Sequence, residues 1–198
     1  MDRQYVSITR YNEGNFRIIR TDDDGNLCTV PPSSGLPYQF FLSSNGLQTG
    51  TINAIGNYSA SPTDFRYTAS SRFEIYSLVI NISDASKFNQ SFYGGMSAGL
   101  TNGIKFFVDV GGGIELPLLR SEVFPVKQNN QWLSIASRAE LTSFDGTAQT
   151  LSVYLNIVES YGRTFPLDSG QKFIARLNDD FTGLTGHTFI LRGTVFTS

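Results

Sequence analysis

Apolar and polar residues alternate along most of this chain, and the period is two. In "TLSVYLNIVES" (150–160), Leu151, Val153, Leu155 and Ile157 share one side while Ser152, Tyr154 and Asn156 share the other. That alternation predicts a half-buried strand. "SRFEIYSLVINI" (71–82) is the strongest strand signal. Tyr76, Leu78, Ile80 and Ile82 fall on one face, but Phe73 and Ile75 fall on the opposite one. The break in parity predicts a bulge or burial on both sides. Shorter β patterns occur in "YQFFL" (38–42), "GTINAIG" (50–56), "GIKFFVDV" (103–110), "GIELPLL" (113–119), "QWLSIASRAEL" (131–141), "KFIARL" (172–177) and "TFILRGTVF" (188–196). Gly111–Gly113 and the Asp-Gly of "SFDGT" read as hairpin turns, because tight turns need the positive φ that glycine supplies. One stretch reads as helix: "SDASKFNQSFYGG" (83–95), capped by Ser83 or Asp84, ended by Gly94, with Phe88 and Phe92 four apart on one face.

About eight strands with regularly spaced turns predict an all-β domain, a jelly-roll-like β-sandwich with one short helix. The even strand count and the long connection at 83–103 favour the jelly roll. No repeat of fixed period is visible, which argues against a propeller or solenoid. The domain is expected to span 38–198. Residues 1–37 read as an extended N-terminal arm closed by the Pro-rich linker "VPPSSGLP", where Pro31, Pro32 and Pro37 fix an extended, unpaired path. Tyr5, Ile8, Tyr11, Phe16 and Ile18 are the arm residues expected at an interface.

The arm also holds the most charged stretch, "TDDDGNL" (21–27). Asp22, Asp24 and Asn26 have the first spacings of an EF-hand loop and are a candidate metal site. That loop needs glycine at its sixth position and Glu at its twelfth, and these are Leu27 and Ser33. The flanks are extended rather than helical. A plain hairpin turn is the better account.

Composition narrows the function classes. The 198 residues can bury a full core without metals or disulfides. Charged residues make up 16% and the net charge is −2, with Ser, Thr, Asn, Gln and Gly filling polar positions. The basic residues are scattered singly, so no nucleic-acid partner is expected. The one cysteine, Cys28, allows no internal disulfide, which points to a reducing compartment. "MDRQYVSITRYNEG" has no apolar signal region, and no run is long enough to span a bilayer, so no membrane association is expected. The three Asn-X-Ser sequons then read as chance.

Little in the sequence looks chemical. His187, the only histidine, reads as a rim residue before the last strand. Cys28 reads as a small half-buried hydrophobe. One His and one Cys cannot build the usual structural zinc site, and no cofactor is expected. Paired carboxylates could cut glycosides, with Glu74, Glu115, Glu140 and Glu159 as candidates. Gly111–Gly113 lacks the Gly-Lys-Ser/Thr and helix of a phosphate loop. Tyr5, Tyr11, Tyr38, Tyr58, Tyr67, Tyr93, Tyr154, Tyr161 and Trp132 could form a glycan platform. "YSASPTDFRY" (58–67) is the best surface candidate among them.

The run "SRFEIYSLVINISDASKF", "GGMSAGLTNGIKFFVDV" and "LPLLRSEVFPVKQNNQWL", roughly 71–133, resembles small virion structural proteins of tailed bacteriophages. The resemblance implies a β-sandwich or jelly roll, self-association, an arm gripping a neighbour, and neither catalytic residues nor a cofactor. On that basis the expected function is non-enzymatic: a capsid cement or decoration protein located in the virion. Its expected partners are copies of itself, in a threefold ring, and the major capsid or other virion proteins. The competing expectations are a carbohydrate- or receptor-binding tail domain and a glycan-cleaving enzyme.

Overall fold

The computed structural model describes residues 35–45, 53–119, 121, 123–143 and 146–196, together with the backbone of 20–21 and 27–28. Those last two pairs are β1 (Arg20–Thr21) and β2 (Leu27–Cys28), antiparallel, with Arg20 opposite Cys28 and Thr21 opposite Leu27. The acidic stretch therefore joins two paired strands, as the hairpin reading expects. Asp22, Asp24 and Asn26 lie outside the described residues, as do Tyr5, Ile8, Tyr11, Phe16 and Ile18.

Ten further strands build two antiparallel sheets. They are β3 (Leu36–Phe41), β4 (Thr63–Thr68), β5 (Arg72–Asp84), β6 (Lys105–Asp109), β7 (Glu115–Leu118), β8 (Arg138–Ser143), β9 (Gln149–Asn156), β10 (Phe165–Leu167), β11 (Lys172–Leu177) and β12 (Gly186–Phe196). The larger sheet runs β3-β12-β5-β9-β8, with β10 also on β5; the smaller runs β4-β11-β6-β7. The fold is all-β and sandwich-like. Phe189 of the large sheet meets Phe65 and Phe106 of the small one, with ring centroids 6.4 and 6.3 Å apart. Tyr67 likewise meets Phe73 at 5.3 Å.

β3 begins at Leu36, and Pro37 stands opposite Thr194 in the ladder. The expected unpaired linker thus ends two residues before the expected boundary. "TINAIG" forms no strand over its described part, 53–56.

The parity break in β5 is a bulge. Arg192 stands opposite Ser77 and Gly193 opposite Ile75, so Tyr76 is the extra residue. The insertion turns Phe73 and Ile75 to the same side as Leu78, Ile80 and Ile82, and all five are fully buried. Tyr76 itself is only half-buried, which corrects its assignment to the core face. β9 and β10 follow one another along the same edge of β5, interrupted by α2 (Ile157–Tyr161). Asn156 caps α2 by accepting from the Val158 and Glu159 N–H groups, and Gly162 ends it at φ 71°.

Gly193 faces the bulge at a close approach. A Cβ there would lie 2.3 Å from the Glu74 carbonyl oxygen and 2.5 Å from the Phe73 ring. Gly193→Ala is therefore expected to destabilise the protein by about 1–3 kcal/mol through forced displacement of backbone. Chemical denaturation measures this; a loss below about 0.5 kcal/mol, the scale of a neutral surface change, would refute the close packing.

Two helices occur among the described residues, not one, and neither lies at 83–95. Ser83 and Asp84 end β5, and 85–95 is a series of bends and turns held by side chains. Asp84 accepts from the N–H groups of Ser86 and Gly95. The Asn129 amide accepts from the Gly94 N–H and donates to the carbonyls of Asn89 and Gly94. Such bonds satisfy the backbone without helix. The other helix, α1 (Asn129–Ile135), occupies the first half of the stretch read as one strand; β8 is the second half. No helix among the described residues is long and apolar enough to cross a membrane.

Candidate interaction surface

The large sheet is wider than the small one, and α1 covers the excess. It packs on β8 and β9 and inserts Trp132 fully into the core against Phe106, with ring centroids 6.2 Å apart. A seven-residue helix buries only a narrow stripe. Leu133 and Ile135 therefore face outward, 52% and 39% exposed. Leu141 on β8 stands opposite the core residue Leu151 but lies beyond the cover and is 55% exposed.

The segment before α1 adds Val123 and Phe124, each 69% exposed. Two hollows flank Phe124. One, about 380 Å³, is lined by Phe106, Leu119, Ser121, Val126, Gln131 and Ile135. The other, about 480 Å³, is more polar, with Thr101, Asn102, Lys105, Pro125, Lys127 and Gln131. The loop that gives it Thr101 and Asn102 is held by a buried carboxylate. Asp179 accepts from the N–H groups of Thr101 (2.8 Å), Asn102 (3.1 Å) and Gly103 (2.8 Å). In the first hollow, Ser121 donates to the Phe106 carbonyl and accepts from its N–H. Exposed apolar side chains beside preformed hollows are what a partner surface buries.

The sequence reading missed these residues. The signal was present in "EVFP", where two apolar residues precede a proline, and in the Leu133–Ile135 pair. Alternation with Trp132 made that pair look like the far side of a strand.

His187 is not at the rim: it lies inside β12, fully buried. Its Nδ1 is 3.2 Å from the Ala54 carbonyl and its Nε2 is 2.9 Å from the Tyr93 hydroxyl. A carbonyl only accepts, so Nδ1 carries the proton and Nε2 accepts from Tyr93. The ring stacks on Phe181 at 5.1 Å. Burial pushes the imidazole pKa down to about 4 and holds the Tyr93 hydroxyl well above its ordinary value.

The four candidate carboxylates sit on four different elements. Glu74 pairs with Arg72 at 2.8 Å and accepts from Thr164. Glu140 pairs with Arg138. Glu159 is exposed on α2. Glu115 belongs to a network on the outer face of the small sheet. There Arg176 grips Asp64 at 2.7 Å and Glu115 at 2.8 Å, and lies over the Phe107 ring at 4.8 Å. The two carboxylates raise the arginine's pKa further above its ordinary value. Each of Glu74, Glu115 and Glu140 is thus engaged by its own arginine.

Gly111–Gly113 all have positive φ and close the β6–β7 hairpin, with Val110 donating to the Ile114 carbonyl. Cys28 falls on β2. Tyr5 and Tyr11 lie outside the described residues, and the described tyrosines do not form one platform. Tyr67 and Tyr93 are core residues with Trp132; of the expected surface loop 58–67, residues 59–62 are an exposed loop and 63–67 belong to β4. Tyr58 packs edge-on to Phe65. Tyr38 is exposed but stacks on Phe40. Among the described residues, no three His, Cys, Asp or Glu side chains cluster to hold a metal. Comparison of the chain with protein-family models, with curated proteins and with solved structures finds no match.

Proposed function

We propose that the chain is a non-enzymatic structural protein of a phage-type virion, a cement or decoration protein that coats an assembled shell. The observation that carries this reading is the exposed apolar rim of Val123, Phe124, Leu133, Ile135 and Leu141 beside two hollows. Burying such a rim on a repeated lattice stabilises the assembled state by mass action, because only the bound form gains the contact. Copies of the chain and the shell's major protein are the proposed partners.

We also read the topology as a jelly roll. Eight strands in chain order (β3, β4, β5, β6, β7, β9, β11, β12) support this. In those terms the large sheet runs first-eighth-third-sixth and the small sheet second-seventh-fourth-fifth, the interleaving of two Greek keys. β8 is then an added edge strand.

A carbohydrate- or receptor-binding domain is the second reading. The polar hollow favours it, because an exposed aromatic, Phe124, stands beside Asn102, Gln131 and two lysines. Locating the chain in purified particles of the virus that encodes it separates the two. Many copies on the shell, reduced by Phe124→Glu in a protein that still folds, are expected. Absence from particles, or polysaccharide hydrolysis abolished by Glu74→Gln or Glu159→Gln, would overturn the structural reading.

A further inference from the structure

Three of the main edge strands in the sandwich are closed against further pairing, and one is not. On β3, Leu42 just beyond the strand donates to the Phe189 carbonyl. Alternation then places Pro37 where an N–H would point away from the sheet. On β7, the Val110–Ile114 bond sets the same alternation, and Pro117 again stands at an outward position. Proline at such a site removes the donor that an incoming strand would need. β4 is capped instead: Ser43 and Arg66 exchange N–H···O bonds of 3.3 and 3.0 Å along its outer side.

β8 has neither device. It is six residues long, contains no proline, and is exposed except at half-buried Ala139 and Glu140. No described residue pairs with its outer edge. Its outward-face charges are Arg138 and Glu140, two apart, bonded to each other, with the guanidinium over the Tyr154 ring at 5.5 Å.

We propose that β8 is an interface strand, on which a second copy of this chain pairs its own β8 antiparallel across a twofold axis through Ala139. The register follows from charge. A twofold perpendicular to the sheet matches outer face to outer face, so residues of equal parity stand opposite each other. Centring on Glu140 would put two like charges together. Centring on Leu141 would leave both charges without an opposite. Centring on Ala139 sets Arg138 against Glu140 of the second copy, twice, as an isologous contact requires. It also places exposed Leu141 opposite Ser137 of the other copy. Such a contact joins two large sheets into one and is separate from any threefold ring.

The full-length chain and two charge reversals test this by light scattering. The wild type should be a dimer. Arg138→Glu and Glu140→Arg should each weaken it by about tenfold or more, because like charges then face each other twice. A one-to-one mixture of the two variants should restore the dimer, since each copy's reversed charge now meets an opposite one. Circular dichroism checks that both variants fold. The mixing arm is insensitive to the Arg138–Glu140 bond within one chain, which both variants lack. A monomeric wild type, single variants as dimeric as wild type, or a mixture no better than either alone would overturn the pairing. So would a dimer lost only on deleting residues 1–19, which would assign the contact to the arm. The outcome is independent of particle location: a β8 dimer absent from virions would remove the cement reading and leave this one.

Discussion

Acidifying the protein from pH 6.5 to pH 4 should remove about 3 kcal/mol of stability through His187 alone. In the unfolded chain the imidazole titrates at its ordinary value of 6.5; in the core, burial lowers this to about 4. Between those values the unfolded state takes up a proton that the native state refuses. Stability is therefore complete above pH 6.5, declines as pH falls, and stops declining near pH 4 once the native ring also protonates. Each unit of separation is worth about 1.4 kcal/mol, giving the total. The cost has a structural source. A cation would sit among Phe181, Tyr93 and Phe189, facing only a carbonyl and a hydroxyl. Denaturant titrations at several pH values measure the slope. In His187→Gln the slope between pH 6.5 and about 5, above the range where carboxylates titrate, should vanish, whatever that variant's absolute stability. A wild-type slope near zero would mean that the ring is not held neutral. Asp109 and Asp180 have lowered pKa values, through bonds from Lys172 and Thr182 respectively, and act in a more acidic range.

Asp179→Ala should cost about 2–4 kcal/mol. The carboxylate is 6% exposed and receives three consecutive backbone N–H groups from a loop 76 to 78 residues away in sequence. Removing it strands those donors. Gly103 is buried and finds no water, while Thr101 and Asn102 are exposed and recover part of their loss. Asp179→Asn should cost less, because the amide oxygen still accepts while its NH₂ opposes the third donor. Equal loss in both variants would implicate charge rather than the count of acceptors. Thermal denaturation of the pair decides. Because this loop lines the polar hollow, both variants should also weaken any ligand held there.

The strand content was legible because burial on one face imposes period two: β11 matches its expected bounds, whereas the alternation that marks β9 runs on through Ile157 to Ser160, which belong to α2. β5 was legible even in its irregularity: the parity break between Ile75 and Leu78 is the trace of the Tyr76 bulge. Other features were not legible. Segment 83–95 carries helix-like spacing and caps, yet Asp84 and Asn129 bond its backbone, and Asn129 lies about forty residues ahead. No local pattern reveals such a partner. α1 was hidden for the opposite reason. A helix anchored mainly by Trp132 leaves Leu133 and Ile135 free to imitate strand alternation. Glycines at 183 and 186 make His187 look like a rim residue, but β12 already begins at Gly186 and carries the ring inward. The exposed rim was invisible because an outward Leu141 and an inward Leu151 look alike in sequence. Only the unequal widths of the two sheets decide which is covered.

The position of β12 in the large sheet has a consequence for how the chain is made. β12 lies between β3 and β5, joining residues 36–41 and 72–84 through residues 186–196. Every hydrogen bond it makes in the ladder spans more than a hundred residues of chain. Loop closure over such distances is slow, and sheets dominated by distant pairing fold slowly. During synthesis, at about 5–20 residues per second, β3 has no partner strand and β5 lacks its longest one until β12 leaves the ribosome. For that interval Leu78, Ile80 and Ile82 are made but lack their neighbour on that side. Nascent chains stalled before residue 186 should therefore be the most chaperone-dependent form of this protein.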